Sequence, residues 1–119
     1  MVEGPIEHDA LLLAAAKASV AGERVPSLVA RADRLLSDRR ADYRRRYECV
    51  HEDETQVVFL VERGHWRECT SELGIEDREA DALQRAHAEH LKRLGSKLDR
   101  RAEFEAALEL REAVAISKD

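Results

Sequence analysis

The stretch DREADALQRAHAEHLKRLGSKLDRRAEFEAALELREAVAI, residues 77–116, decides how the rest of the chain is arranged. Ala80, Leu83, His87, Leu91 and Leu94 recur at steps of three and four, the spacing of one buried helix face. Gly95 suits the left-handed residue that ends a helix, because it has no Cβ to clash. Ser96 and Asp99 then read as a capping box that starts a second helix. That helix would turn Phe104, Ala107, Leu108 and Val114 towards the first. A link this short predicts an antiparallel C-terminal pair. The carboxylates in the Glu105–Glu109–Glu112 rows read as solvated helix faces. The pattern describes a scaffold and names no reaction.

Outward from this pair, residues 6–21 read as a helix, with Ile6, Leu12, Leu13, Ala16 and Val20 on one side and Gly22 closing it. Pro26 and Ser27 signal a second helix, since proline is tolerated in a first turn. Leu28, Ala32, Leu35 and Leu36 give it an apolar face to at least Ser37. The preferred reading of residues 43–62 is a β-hairpin: a strand over 43–50, a polar turn at 51–55 and a partner strand over 56–62. The run Val57-Val58-Phe59-Leu60-Val61 favours it, as β-branched and aromatic residues fit a pleated surface. Two alternatives are a helix continued through Tyr43, Tyr47 and Val50, and a helix over 54–63. Residues 65–73 form a short helix ended by Gly74, and Ile75 staples the start of the long helix. Residues 64–69 loosely resemble the mid-repeat turn of tetratricopeptide repeats, but the period of roughly 34 residues is missing. The fold class is therefore mainly α (α+β), and 1–119 is expected to be a single domain.

Composition narrows the function classes. The 119 residues are 44% hydrophobic and 38% charged, with a net charge of −5, on the folded side of the disorder boundary. Aromatics are 4%, so Leu, Val and Ala must fill the interior. Ala-rich helical faces bury little area per residue, which favours a homodimer. Sixteen of the 20 basic residues are arginine. Two cysteines make no disulfide framework. Glu3, Glu7 and Asp9 stand where a secretory leader needs positive charge, and Lys17 interrupts the one N-terminal apolar run. A reducing cytoplasm and no membrane association are expected.

Three constellations carry candidate chemistry. Cys49 and His51 lie two apart on the expected strand, and His65 and Cys69 four apart on the expected helix. Each pair shares a face. Together they would aim thiolate and imidazole ligands at one structural zinc, the cofactor this set would take. The competing reading makes both cysteines small apolar residues. Second, residues 31–48 carry seven arginines against four acids. Arg39, Arg40, Arg44, Arg45 and Arg46, interleaved with Tyr43 and Tyr47, would suit nucleic acid, with guanidinium on phosphate and rings on bases. A solvated face, or arginines partnering acidic helices, is the commoner use of such a run. A helix-turn-helix laid over 66–85 would push Glu76, Asp77, Glu79 and Asp81 at phosphates, which opposes it. Third, His87 and His90 flank Glu89 without a third ligand, and His87 on the apolar seam reads as a hydrogen-bonded core histidine. Arg85-x4-His90, and Arg44 to Arg46 before His51, resemble the R-x4-6-H motif of the all-α ribonucleases called HEPN domains. That resemblance implies an all-α nuclease with those residues catalytic.

No Gly-rich phosphate loop, nucleophile elbow or paired catalytic carboxylates are present. The sequence therefore points to a non-enzymatic protein-interaction or regulatory module that self-associates. A nucleic-acid-associated regulator using Arg39–Arg46 ranks second, and a HEPN-type nuclease third.

Overall fold

The computed structural model describes Ile6 and residues His8–Lys118. The N-terminal Glu3 and Glu7 lie outside the described residues. In order, α1 (His8–Ala18), α2 (Arg24–Ser37) and α3 (Arg40–Arg46) precede a hairpin of β1 (Glu48–Glu52) and β2 (Gln56–Glu62). Two single turns follow, α4 (His65–Glu68) and α5 (Thr70–Leu73), then the long α6 (Asp77–Leu98), α7 (Arg101–Leu108) and β3 (Arg111–Ser117). The sheet is antiparallel in the order β1-β2-β3. The mixed, mainly helical class is thus as expected.

The hairpin forms where the β-branched run predicted it, with a shifted start. Tyr43 belongs to α3, and the chain turns extended only at Tyr47 (φ −129°, ψ 161°). Tyr43 stands two turns after Leu36 and continues the buried side of the helices, so burial holds it helical. The Asp53 carboxylate closes the hairpin by accepting the N–H groups of Thr55 (2.8 Å) and Gln56 (3.1 Å). Register slips between Cys49 and His51, and the Arg100 Nη1 donates to the bulged Val50 carbonyl at 3.1 Å.

The first half of the C-terminal pair holds: Ala80, Leu83, His87 and Leu91 are buried along α6, with Leu94 packed at the margin. The ends differ from expectation. Helix α6 runs through Gly95 to Leu98, and Asp99 takes the left-handed conformation (φ 57°), which a short polar side chain tolerates. Gly95 serves close approach instead. A Cβ there would lie 2.8 Å from the Arg101 Cα and 3.0 Å from the Phe104 ring. No box forms at Ser96–Asp99; the reciprocal capping box is Glu76 with Glu79. The second helix stops at Leu108, and residues expected to complete it form β3. Ala113, Val114, Ala115 and Ile116 are all buried there, and an unbroken apolar run of that length serves a two-sided strand as well as a helix.

Strands β2 and β3 are buried at consecutive residues, so both of their faces are covered, whereas β1 stays largely exposed. On the N-terminal side, the buried stripe of α1 is Ala10, Leu11, Ala14 and Ala15, while Leu12 and Ala16 face outwards. Ala14 and Ala15 join Ala82 and Ala86 in one hydrophobic cluster. Much of the alanine surface read as a dimer face is therefore used within the protomer. Among the described residues no helix is long and apolar enough to cross a membrane.

Candidate functional site

The outer edge of β3 is sealed by side chains. Alternate residues of a strand point their backbone groups away from the neighbouring strand, here at positions 113, 115 and 117. The Trp66 Nε1–H donates to the Ala113 carbonyl (3.1 Å), and the Ala115 N–H to the His87 Nδ1 (3.0 Å). The Asp33 carboxylate accepts the Ser117 N–H (2.9 Å) and hydroxyl (2.5 Å), and Arg40 donates to the Ser117 carbonyl. Four helices thus supply what a further strand would.

Behind this seal lies a row of rings. His87 stacks on Trp66 at 4.5 Å between centroids, and His65 meets Trp66 edge-on at 5.0 Å. His65 Nε2 shares a 2.5 Å hydrogen bond with the Tyr43 hydroxyl. Because His87 Nδ1 accepts the hydrogen bond of the Ala115 N–H, the ring's own proton sits on Nε2, buried without a partner among the described residues. Protonation would put an N–H opposite an N–H. Burial, reinforced by His90 and His65, holds the His87 pKa down to about 3, and burial likewise holds His65 to about 4. His90 Nε2–H donates to the Gln56 Oε1 at 2.7 Å, and the Gln56 amide reaches Asp53 at 3.3 Å. Glu112 is also buried, contrary to its reading as a solvated helix residue. Its oxygens accept the N–H groups of Gly64 (2.9 Å) and Trp66 (3.1 Å), fixing the turn that carries the ring row. Each of the three histidines thus commits one ring nitrogen to a hydrogen bond within the fold.

The proposed zinc ligands fall in separate surroundings. Cys49 is exposed on β1, and His51 Nε2 bonds Asp53 at 2.8 Å. His65 faces Tyr43, and Cys69 is buried, its thiol pushed up to about 11 by the burial. Among the described residues no three His, Cys, Asp or Glu side chains group as metal ligands. The hairpin slip at Val50 and the early end of α4 at Glu68 break the convergence that the spacing implied.

The basic segment is largely engaged with acids. Arg39 holds Glu72 through two hydrogen bonds, and Arg44 holds Glu52 the same way, both at 2.9 Å. Arg45 and Arg46 both approach Asp42 at 3.4 Å. Tyr43 is buried, while Tyr47 reaches Glu62 at 3.3 Å with the Arg46 guanidinium over its ring. For the HEPN-like spacing, Arg85 is exposed whereas His90 is buried on Gln56, and the sheet departs from an all-α fold.

One surface was not visible in the sequence. Leu110, on the turn between α7 and β3, is 77% exposed. It borders a groove of about 360 Å³ shared with Arg46, Tyr47, Leu60, Glu62 and Arg63. Its signal is positional only: a lone leucine between Glu109 and Arg111, read as helix until the strand start is known.

The chain belongs to the family described as a domain of unknown function (DUF8048), whose model matches residues 4–118. No curated protein and no solved structure matches it.

Proposed function

We propose that this family member is a non-catalytic protein-interaction or regulatory module that self-associates through the Leu110 face. The supporting observation is the exposure of Leu110 beside a groove whose lining includes Leu60, Val61 and Tyr47. A large apolar side chain left in water gains about 1.5–3 kcal/mol when covered. The groove rim carries both Arg46 and Arg63 and both Glu48 and Glu62. A twofold arrangement can set unlike charges opposite one another, which suits a second copy as occupant. A passive role for the buried histidines is supported by the hydrogen bonds that tie one ring nitrogen of each to Tyr43, Ala115 and Gln56. Nucleic acid at Arg39–Arg46 would first have to break the ion pairs to Glu72, Glu52 and Asp42.

A photo-crosslinking residue, p-benzoylphenylalanine, placed at Leu110 tests this reading. Mixing ¹⁴N- and ¹⁵N-labelled chains identifies crosslinks between copies. They are expected on peptides that contain Tyr47 or Leu60. Crosslinks confined to single chains, or landing on unrelated peptides, would refute the proposal.

A further inference from the structure

We infer that the groove between α1, α6 and α7 is a binding site for a small organic anion, one carrying a ring-sized apolar group beside a carboxylate or phosphate. This site is separate from the Leu110 face and does not depend on it. Its floor is Leu13 and Ala14 of α1, Ala88 of α6 and Leu108 of α7; its rim is Lys17, Arg85 and Lys92. Helical spacing makes the arrangement: Arg85, Ala88, Glu89 and Lys92 share one stripe of α6, and Leu13, Ala14 and Lys17 share the facing stripe of α1.

Charge selects the ligand's sign. Most other arginines of the chain hold a carboxylate, Arg24 on Glu79 and Arg67 on Asp81 among them. Lys17, Arg85 and Lys92 have no acidic partner among the described residues. The one carboxylate in the groove, Glu89, lies 3.4 Å from Arg93 of its own helix. Three cations are therefore left to face a shared recess in a chain of net charge −5.

Volume selects the ligand's size. The recess measures about 170 Å³. An apolar cavity near 150 Å³ accommodates benzene, whereas drug-sized sites run from about 300 Å³. A ring or short branched chain fills the floor, and its anionic group meets the rim in charge-assisted hydrogen bonds. This also gives Arg85, singled out by its spacing from His90, a use on the opposite side of α6 from that histidine.

The test is a titration of the ¹⁵N-labelled protein with benzoate, followed by amide chemical shifts, with benzylamine and inorganic phosphate as parallel probes. Benzoate is expected to shift the amides of Lys17, Arg85, Ala88 and Lys92 saturably. Benzylamine should leave them in place, and inorganic phosphate should bind more weakly than benzoate. The double variant Lys17→Glu/Arg85→Glu alters exposed side chains only. It should weaken benzoate by about tenfold or more, the scale of one charge-assisted hydrogen bond, with the far-UV circular dichroism spectrum unchanged. Four results would overturn the inference: no saturation by benzoate; equal shifts from benzylamine; phosphate binding as tightly as benzoate; or undiminished binding to a folded double variant.

Discussion

Acidification between pH 6.5 and 5 should destabilise the fold through two interior histidines. In the unfolded chain both titrate near the ordinary value of 6.5, whereas in the fold His65 is held to about 4 and His87 to about 3. Between those limits the unfolded state binds more protons, so stability falls as pH falls. Each histidine then removes about 1.4 kcal/mol per pH unit. From neutrality to pH 5 the two together amount to about 4 kcal/mol, a large part of the 5–15 kcal/mol typical of a domain. The carboxylates stabilised by arginine, such as Glu72 and Glu79, lie below their ordinary value of 4.5. They lose their contribution only beneath that pH, so the window belongs to histidine. Urea unfolding at half-unit pH steps, followed by circular dichroism and by fluorescence of Trp66, the single tryptophan, measures the slope. His87→Gln keeps an acceptor for the Ala115 N–H but cannot titrate, and should lower the slope by about 1.4 kcal/mol per pH unit. Constant stability from pH 6.5 to 5, or a slope untouched by His87→Gln, would refute the burial argument.

Gly95→Ala should destabilise, although alanine in a helix interior ordinarily gains about 1 kcal/mol over glycine. The new Cβ would meet the Arg101 backbone at 2.8 Å, and overpacking of that kind costs about 1–3 kcal/mol; a raised melting temperature would contradict the close approach of α7. Glu112→Leu should cost about 2 kcal/mol in urea unfolding, since it leaves the Gly64 and Trp66 N–H groups without their acceptors. Glu112→Gln should cost less, and equal losses would mean that the hydrogen bonds matter little. In the native protein a thiol reagent should label Cys49 rapidly and Cys69 only after unfolding, and mass spectrometry of the labelled peptides decides this.

How legible this molecule was depends on where each signal resides. The inward face of α6 is written in its own spacing, and the hairpin in its β-branched run. The end of α6 is ambiguous in the sequence because glycine serves two purposes, a left-handed cap or a close approach, and here Asp99 takes the cap. Strand β3 was hidden because Ala113–Val114–Ala115–Ile116 is uniformly apolar, and no glycine or proline marks the break after Leu108. Continued as a helix, that run would place Glu112 on a solvated face and give no sign of the exposed Leu110. His87 was legible as a buried histidine, but its acceptor role follows from the strand edge beside it. The pairing of Arg39 with Glu72 joins elements 33 residues apart, and that of Arg44 with Glu52 depends on where α3 ends and β1 begins, neither of which a local charge count sees.

Sedimentation equilibrium across a dilution series, on the wild-type chain and on Leu110→Arg, tests self-association through the Leu110 face most directly. The expected result is a wild-type dimer that dissociates on dilution, beside a Leu110→Arg chain that keeps its circular dichroism spectrum and stays monomeric. A wild-type monomer at every concentration, or a Leu110→Arg dimer as tight as the wild type, would contradict it.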